Sequence, residues 1–269
     1  MTIARTVAEL CAARESVANG STVGLVPTMG ALHAGHGALL EAARAECDFV
    51  VASIFVNPAQ FGPGEDFETY PRDQARDVAI AERAGVDCLF IPSVEEMYPP
   101  GFQTWVEVER IAQGLEGAAR PGHFRGVATV CLKLFNLVRP QRAYFGQKDA
   151  QQAALVEQLV RDLELGIDIH VVPTVRDEDG LAVSSRNAHL SSADREAARA
   201  LPRALFTGED AHRRGDDPVV AARRALAAEP RVVPEYVEVA RLNGRLHLLA
   251  AARVGETRLI DNVILEGEL

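Results

Sequence analysis

The chain has 269 residues, 48% of them hydrophobic and 25% charged, with 28 Lys+Arg against 38 Asp+Glu and a formal net charge of −10. Such a chain can bury one large core or two, so intrinsic disorder and charge-driven nucleic-acid binding drop out. No apolar run approaches the ~20 residues of a membrane span. Arg5, Glu9, Arg14 and Glu15 argue against a signal peptide, which points to a cytoplasmic chain without a membrane partner.

Ile3, Val7, Leu10 and Cys11 predict an opening amphipathic helix ending near Asn19-Gly20. Val23–Val26 reads as a strand, followed by Pro27 and a glycine-containing turn. A helix from about Gly35 to Ala45 leads into Phe49–Val56, a β-branched strand whose apolar residues are also candidates for a subunit contact. Asp73–Ala84 reads as helix and Cys88–Ile91 as strand, and Val127, Val130, Cys131, Leu134, Leu137 and Val138 mark one apolar helix face. Ala143–Phe145 is a strand, Leu155, Val156, Leu159, Val160 and Leu163 stripe a helix, and Ile167–Val172 is a fifth strand. This alternation predicts an α/β fold, a Rossmann-like parallel sheet with helices on both faces and its ligand beyond the carboxyl ends of the strands.

After Val175 the pattern changes. Ser191 with Asp194 predicts a capped helix through Arg199, which Pro202 should kink or end. A helix around Pro218–Ala228 precedes strands at Tyr236–Ala240, Arg245–Leu249 and Thr257–Leu265. The expected division is a Rossmann-like domain over residues 1–175 and a small α+β domain over 176–269 that closes on the site. Cys11, Cys47, Cys88 and Cys131 form no CxxC or Cys/His cluster, so they read as buried thiols rather than disulfides or zinc ligands.

Four segments carry the polar residues. PTMGALHAGH (Pro27–His36) runs from a strand into a helix. His33 and His36 share a face of that turn, Gly30 and Gly35 permit close approach, and open amides at the helix start favour a phosphate. Two imidazoles there are placed to bond phosphate oxygens in phosphoryl or adenylyl transfer. Two histidines that merely cap the helix fit the same spacing, while zinc lacks a third ligand nearby. FVNPAQFGPGEDF (Phe55–Phe67) sets Asn57 and Gln60 at the ligand edge, with Gly62-Pro63-Gly64 as a possible lid or a plain polar turn.

In YFGQKDAQQ (Tyr144–Gln152), Lys148 falls at the same edge. Only Lys133 and Lys148 are lysines. Lys133 lies off its helix's apolar stripe and reads as a solvated charge, which leaves Lys148 as the phosphate counter-charge or as one half of a helix-start ion pair. Asp149 is placed to accept from a ribose hydroxyl, and Gln151 or Gln152 to face the site. In VRDEDGLAVSSRN (Val175–Asn187), Ser184, Ser185 and Arg186 suit a polyphosphate, or simply a linker. No P-loop, GxSxG elbow or GxGxxG fingerprint is present.

In this order and spacing the segments resemble the pantoate–β-alanine ligase (pantothenate synthetase) family of the HIGH-type nucleotidylyltransferase superfamily. YPR at Tyr70–Arg72, RPGHFRGV at Arg120–Val127, LKLFNLVRP at Leu132–Pro140 and TRLIDN at Thr257–Asn262 extend the likeness over nearly the whole chain. The resemblance implies a two-step ligase: ATP adenylates pantoate, and β-alanine then displaces AMP. It implies an ATP site of Met29, Gly30, Ala31, Leu32, His33, Ala34, Gly35 and His36, with Gly146, Gln147, Lys148 and Asp149, completed by Val175, Val183, Ser184, Ser185 and Arg186. His36, His33 and Lys148 would be catalytic. Gln60 and Gln152 would hold pantoate, with Asn57 and His123 beside them. Mg2+ would come with ATP and touch Asp77, and a homodimer is typical.

The chain departs from the family pattern at Gly37, Gln147, Ala150, Val183 and Ile80, none of which removes a named catalytic residue. A nucleotidylyltransferase for a phosphorylated acceptor fits less well, because Gln60 and Gln152 are uncharged. A binding protein without turnover would not need the full polar set.

Overall fold

Short apolar strands separated by amphipathic helices have one stable arrangement, a parallel sheet covered on both faces. The computed structural model describes all 269 residues and divides them into two units, Met1–Phe145 with Gln151–Val172, and Gly146–Ala150 with Pro173–Leu269. Up to Val172 the elements are β1 (Thr2–Ala4), α1 (Val7–Glu15), β2 (Val23–Thr28), α2 (Ala34–Glu46), β3 (Phe49–Ile54), α3 (Gln74–Arg83), β4 (Cys88–Phe90), α4 (Val94–Met97), α5 (Glu116–Ala119), α6 (His123–Val138), β5 (Arg142–Gly146), α7 (Ala150–Asp162) and β6 (Asp168–Val172). The strands lie in the order β1-β4-β3-β2-β5-β6, and the pairings from β1 to β5 are parallel. The chain winds outward from β2 through β3 and β4, then outward from β5 through β6. That reversal beside β2 opens a crevice at the carboxyl ends of β2 and β5, where doubly wound sheets bind ligands.

Period-two alternation sorts the strand residues between two cores. Val50, Ala52 and Ile54 of β3 pack with Leu39, Leu40 and Ala43 of α2 and Ala81 of α3. Val51 points the other way, to the core built by Leu10 of α1, Phe124 to Val138 of α6 and Leu155 to Val160 of α7. Tyr144 of β5 joins the first core, and its neighbours Ala143 and Phe145 join the second.

Several expectations are corrected. Ile3 does not open a helix: it pairs with Leu89 in edge strand β1, and α1 starts only after Thr6, which exchanges capping bonds with Glu9. The apolar residues of β3 from Val50 to Ile54 are not exposed as a subunit contact would need, because the strand lies between β2 and β4; only Phe49 and, just beyond the strand, Val56 are partly exposed. Lys133 is not a solvated charge. Its ammonium lies 4.9 Å from the ring centre of Phe102 and 5.9 Å from that of Tyr98, and burial lowers its pKa.

In the second unit Ser191 caps α8 (Ser192–Ala198) by accepting from the Asp194 amide. Pro202 does what the sequence predicts: it has no amide for the Ala198 carbonyl, so α8 ends at Ala198, Arg199 breaks the run, and α9 (Ala200–Arg213) starts with the proline in its first turn. α10 (Pro218–Leu226) follows, capped by Asp217, then β7 (Val232–Leu242), β8 (Arg245–Val254) and β9 (Thr257–Glu266) in an antiparallel sheet. Asn243 and Gly244, both at positive φ, make the β7–β8 turn that such a hairpin requires. Leu201, Leu205, Ala222 and Leu226 pack on Leu248, Ala250 and Ala252 of β8 to form this unit's core. All four cysteines are free thiols.

Candidate active site

Pro27 has no amide to give, so the β2–β3 ladder changes character at its end. Ser53 Oγ accepts from the Thr28 amide at 3.3 Å, and Thr28 Oγ1 donates to the Ser53 carbonyl at 2.6 Å. The chain then turns through Gly30 (φ +85°) and Ala31 (φ +50°). A Cβ at Gly30 would lie 2.9 Å from Asp77 Oδ2 and 3.0 Å from Ile54 Cγ2, so glycine is required on steric as well as torsional grounds. Asp77, 1% exposed, holds this turn: Oδ2 accepts from Ala31 N at 2.8 Å and Oδ1 from Leu32 N at 2.7 Å.

The start of α2 is capped by imidazoles. His33 is the N-cap, its Nδ1 accepting from Gly35 N at 3.1 Å, and His36 Nδ1 accepts from His33 N at 3.3 Å. Their ring centres are 4.0 Å apart. A Cβ at Gly35 would come within 3.0 Å of His33 Cε1, which explains the glycine between them. A neutral imidazole that accepts at Nδ1 carries its proton at Nε2, so each ring is a donor at its far nitrogen. The open amides expected at this helix start are therefore largely engaged internally. Gly30 N donates to Thr28 Oγ1, and Ala31, Leu32, His33 and Gly35 donate to side chains of the same loop or of α3.

A second cluster orients carboxamides. Asn57, 1% exposed, caps the Pro58–Gln60 turn, accepts from Tyr98 Oη at 2.9 Å, and donates to Gln60 Oε1 at 3.1 Å and Gly126 O at 3.2 Å. Because Gln60 Oε1 accepts from Asn57, its Nε2 faces the other way, 3.1 Å from Met29 Sδ. His123 donates from Nδ1 to Gln60 O at 2.8 Å, and its Nε2 accepts from Arg120 Nη1 at 3.1 Å. Burial first, then the Arg120 charge, lowers the His123 pKa to about 4, so the ring is neutral. Arg120 also grips Glu65 with two bonds of 2.9 and 2.7 Å, tying the residue after Gly62-Pro63-Gly64 to this cluster. Burial would raise the Glu65 carboxyl, but Arg120 outweighs it and holds the pKa below its usual value. Gln151 is spent on the Ile111 and Gly114 carbonyls and the Glu116 amide, whereas Gln152 is half-buried at the start of α7.

In the second unit, Gly146 leads into a tight turn at Gln147–Asp149, and the Lys148 ammonium lies 3.7 Å from Asp149 Oδ1. Asn262 Nδ2 donates to the carbonyls of Gln147 at 2.8 Å and Lys148 at 3.0 Å. Asp261, beside it, receives both arms of Arg176 at 2.7 and 3.1 Å. Burial still raises its pKa, with Arg176 opposing. Val175 and Val183 are bonded across a small hairpin, Val183 N to Val175 O at 3.0 Å. Ser184 caps the Ser185–His189 turn by accepting from Arg186 N at 3.3 Å.

Residue-by-residue reading overlooked Arg120, Glu65, Tyr98, Asp261 and Asn262 as members of these clusters, although RPGHFRGV and TRLIDN contain three of them. No group of three or more His, Cys, Asp or Glu is placed to hold a metal ion. Asp77, expected beside magnesium, has both oxygens engaged by loop amides.

A reversing parallel sheet with an imidazole-capped helix at the end of its central strand has the build of an α/β enzyme of the doubly wound class. The model of the pantoate-beta-alanine ligase family matches residues 2–264. The pantothenate synthetase of Chloroflexus aurantiacus is 53% identical over 282 residues, covering 100% of this chain and 99% of that one. The crystal structure of pantothenate synthetase from Thermus thermophilus superposes with a TM-score of 0.94 at 48% identity, covering 99% and 100% of the two chains. That of pantoate-beta-alanine ligase from Francisella tularensis, complexed with beta-gamma ATP and beta-alanine, gives 0.85 at 38% identity, covering 100% and 99%. This chain belongs to the pantoate-beta-alanine ligase family. It is an enzyme, a ligase of pantothenate biosynthesis.

Proposed function

We propose that the chain condenses (R)-pantoate with β-alanine through a pantoyl adenylate. A pantoate carboxylate oxygen attacks the α-phosphorus of ATP, and the bond to the leaving pyrophosphate breaks. The neutral amine of β-alanine then attacks the acyl carbon, loses one proton, and AMP departs with the electron pair of the broken acyl–oxygen bond. A carboxylate is a poor electrophile until adenylated, and the mixed anhydride must be kept from water. The Gly62–Gly64 loop, tied through Glu65 to Arg120, serves that shielding.

His33 and His36 donate from Nε2 to phosphate oxygens as charge builds, His36 to the departing one. Lys148, Ser184, Ser185 and Arg186 supply further cationic and hydroxyl contacts, and the Met29–Gly35, Gly146–Asp149, Val175 and Val183 segments complete the nucleotide site. Gln60 and Gln152 hold pantoate, with Asn57 and His123 fixing the Gln60 amide and its peptide. The chain offers no metal cage, so Mg2+ arrives on ATP oxygens and adds positive charge there. The observation that carries this reading is the inward turn of both Nδ1 atoms, which makes two adjacent rings phosphate donors.

Incubation with ATP, Mg2+ and pantoate, with and without β-alanine, tests it by mass spectrometry and pyrophosphate exchange. Pantoyl adenylate is expected without the amine, and pantothenate plus AMP with it. Exchange that proceeds equally without pantoate overturns the substrate, and a dinucleotide-like product overturns the reaction. The same reading makes the enzyme a cytoplasmic homodimer, and a monomer in light scattering overturns that part.

A further inference from the structure

Lys148 sits in a single 3-10 turn, Gln147–Asp149, that leads into α7 and is entered at Gly146, which has no side chain to cap it. A second fastening comes from Asn262 in β9, a residue 2% exposed and 115 positions beyond Gln147. Its Nδ2 donates to the Gln147 and Lys148 carbonyls. The orientation of that amide is fixed, because Oδ1 lies 3.3 Å from His247 Nδ1 and 3.5 Å from Gln147 Nε2, both able to donate. The Asn262 amide nitrogen is itself held by Asp261 Oδ1 at 2.8 Å, and Asp261 by Arg176. Gln147 Oε1 accepts from Thr174 N at 3.3 Å and braces the turn from the other side.

The Gln147 and Lys148 carbonyls belong to the two peptide planes that meet at the Lys148 Cα. Peptide planes are rigid, so anchoring both oxygens sets φ and ψ of Lys148 and with them the direction of its Cα–Cβ bond. We propose that Asn262 is a positioning residue for the ligase reaction, aiming the Lys148 ammonium at the nucleotide phosphates by clamping both peptides that flank it. This rests on the reading of Lys148 as a phosphate ligand. It gives the TRLIDN ending a role at the site, beyond its place in a β-strand.

The test is pantoate-dependent pyrophosphate exchange on the full-length enzyme with Lys148→Ala, Asn262→Ala, Asn262→Asp and the Lys148→Ala/Asn262→Ala double variant. Melting temperature is followed alongside. Asn262→Ala is expected to lower kcat/KM for ATP about 10- to 100-fold, as loss of alignment does. Asn262→Asp, of equal size, should do no better, because a carboxylate would face two carbonyls; it carries the test if the alanine form does not fold. The double variant should be within about twofold of Lys148→Ala, since Asn262 then has nothing left to aim. Wild-type kcat/KM in the Asn262 variants beside a crippled Lys148→Ala overturns the proposal alone. So does a full multiplicative loss in the double variant, the mark of a purely structural role. A fully active Lys148→Ala overturns the reading of Lys148 and the proposal with it.

Discussion

The imidazole loop and the lysine turn serve one proposed reaction, yet they are secured in opposite ways. Around His33 and His36 the capping bonds close within four residues, while Ser53, Phe55, Gln60 and Asp77 reach the Thr28–Leu32 stretch from neighbouring elements. At Gln147 and Lys148 the decisive partner comes from the last strand of the chain. A self-bonded loop keeps its shape while its surroundings loosen. A turn stapled from afar as well as by its own bonds loses part of its hold when the distant sheet loosens, so stability and activity are coupled there and separable at the histidines.

The sharpest break of that contrast is Asp261→Ala, which leaves Arg176 unpaired and the Asn262 amide without its acceptor. It should cost about 3–5 kcal/mol in urea unfolding and take exchange activity with it. An unchanged midpoint would mean the staple stands without its ion pair. On the other side, His36→Ala should lower the exchange rate by ~10²–10³-fold while unfolding shifts by only about 1 kcal/mol, the size of a lost cap. Equal losses in both measurements would erase the distinction.

His123 supplies a pH signature confined to the first unit. Its ring is held neutral when folded, with a pKa near 4 against 6.5 when free. Its contribution to stability is complete above about pH 6.5 and is lost as pH falls toward 4, by about 3 kcal/mol. Unfolding free energies of wild type and His123→Asn across that range should diverge at the high end and converge at the low end. Parallel curves would show the ring is not buried neutral. The smallest effect is expected for Asp77→Asn, which turns one acceptor of a loop amide into a donor. About 1–2 kcal/mol of stability should go, with a modest rise in KM for ATP, and a larger loss would mean the loop depends on α3 more than on itself.

The same contrast governs what was legible in the sequence. The HxGH spacing lies within one helical turn, so His33 and His36 could be paired from periodicity alone, and the alternation of strands with helices pointed to a sheet covered on both faces. The Asn57–Gln60 contact, three residues apart, was similarly within reach. Asn262 was not, because nothing local distinguishes an asparagine that clamps a remote turn from one in a strand. Element errors followed local rules that tertiary context overrode. Ile3 looked helical until paired at a sheet edge. Lys133 looked solvated because the rings of Tyr98 and Phe102 that cover it lie some thirty residues earlier.

The inward Nδ1 atoms of His33 and His36 also limit what the pair can do. Each lone pair already receives a main-chain N–H, so neither ring can pick up a proton without undoing the first turn of α2. The two imidazoles are set to give hydrogen bonds rather than to take protons, since taking one costs a capping bond. In the proposed reaction, then, neither histidine is set to deprotonate the amine, and the rate of the second step is expected to rise with pH as the free amine accumulates, which a pH profile of product formation checks.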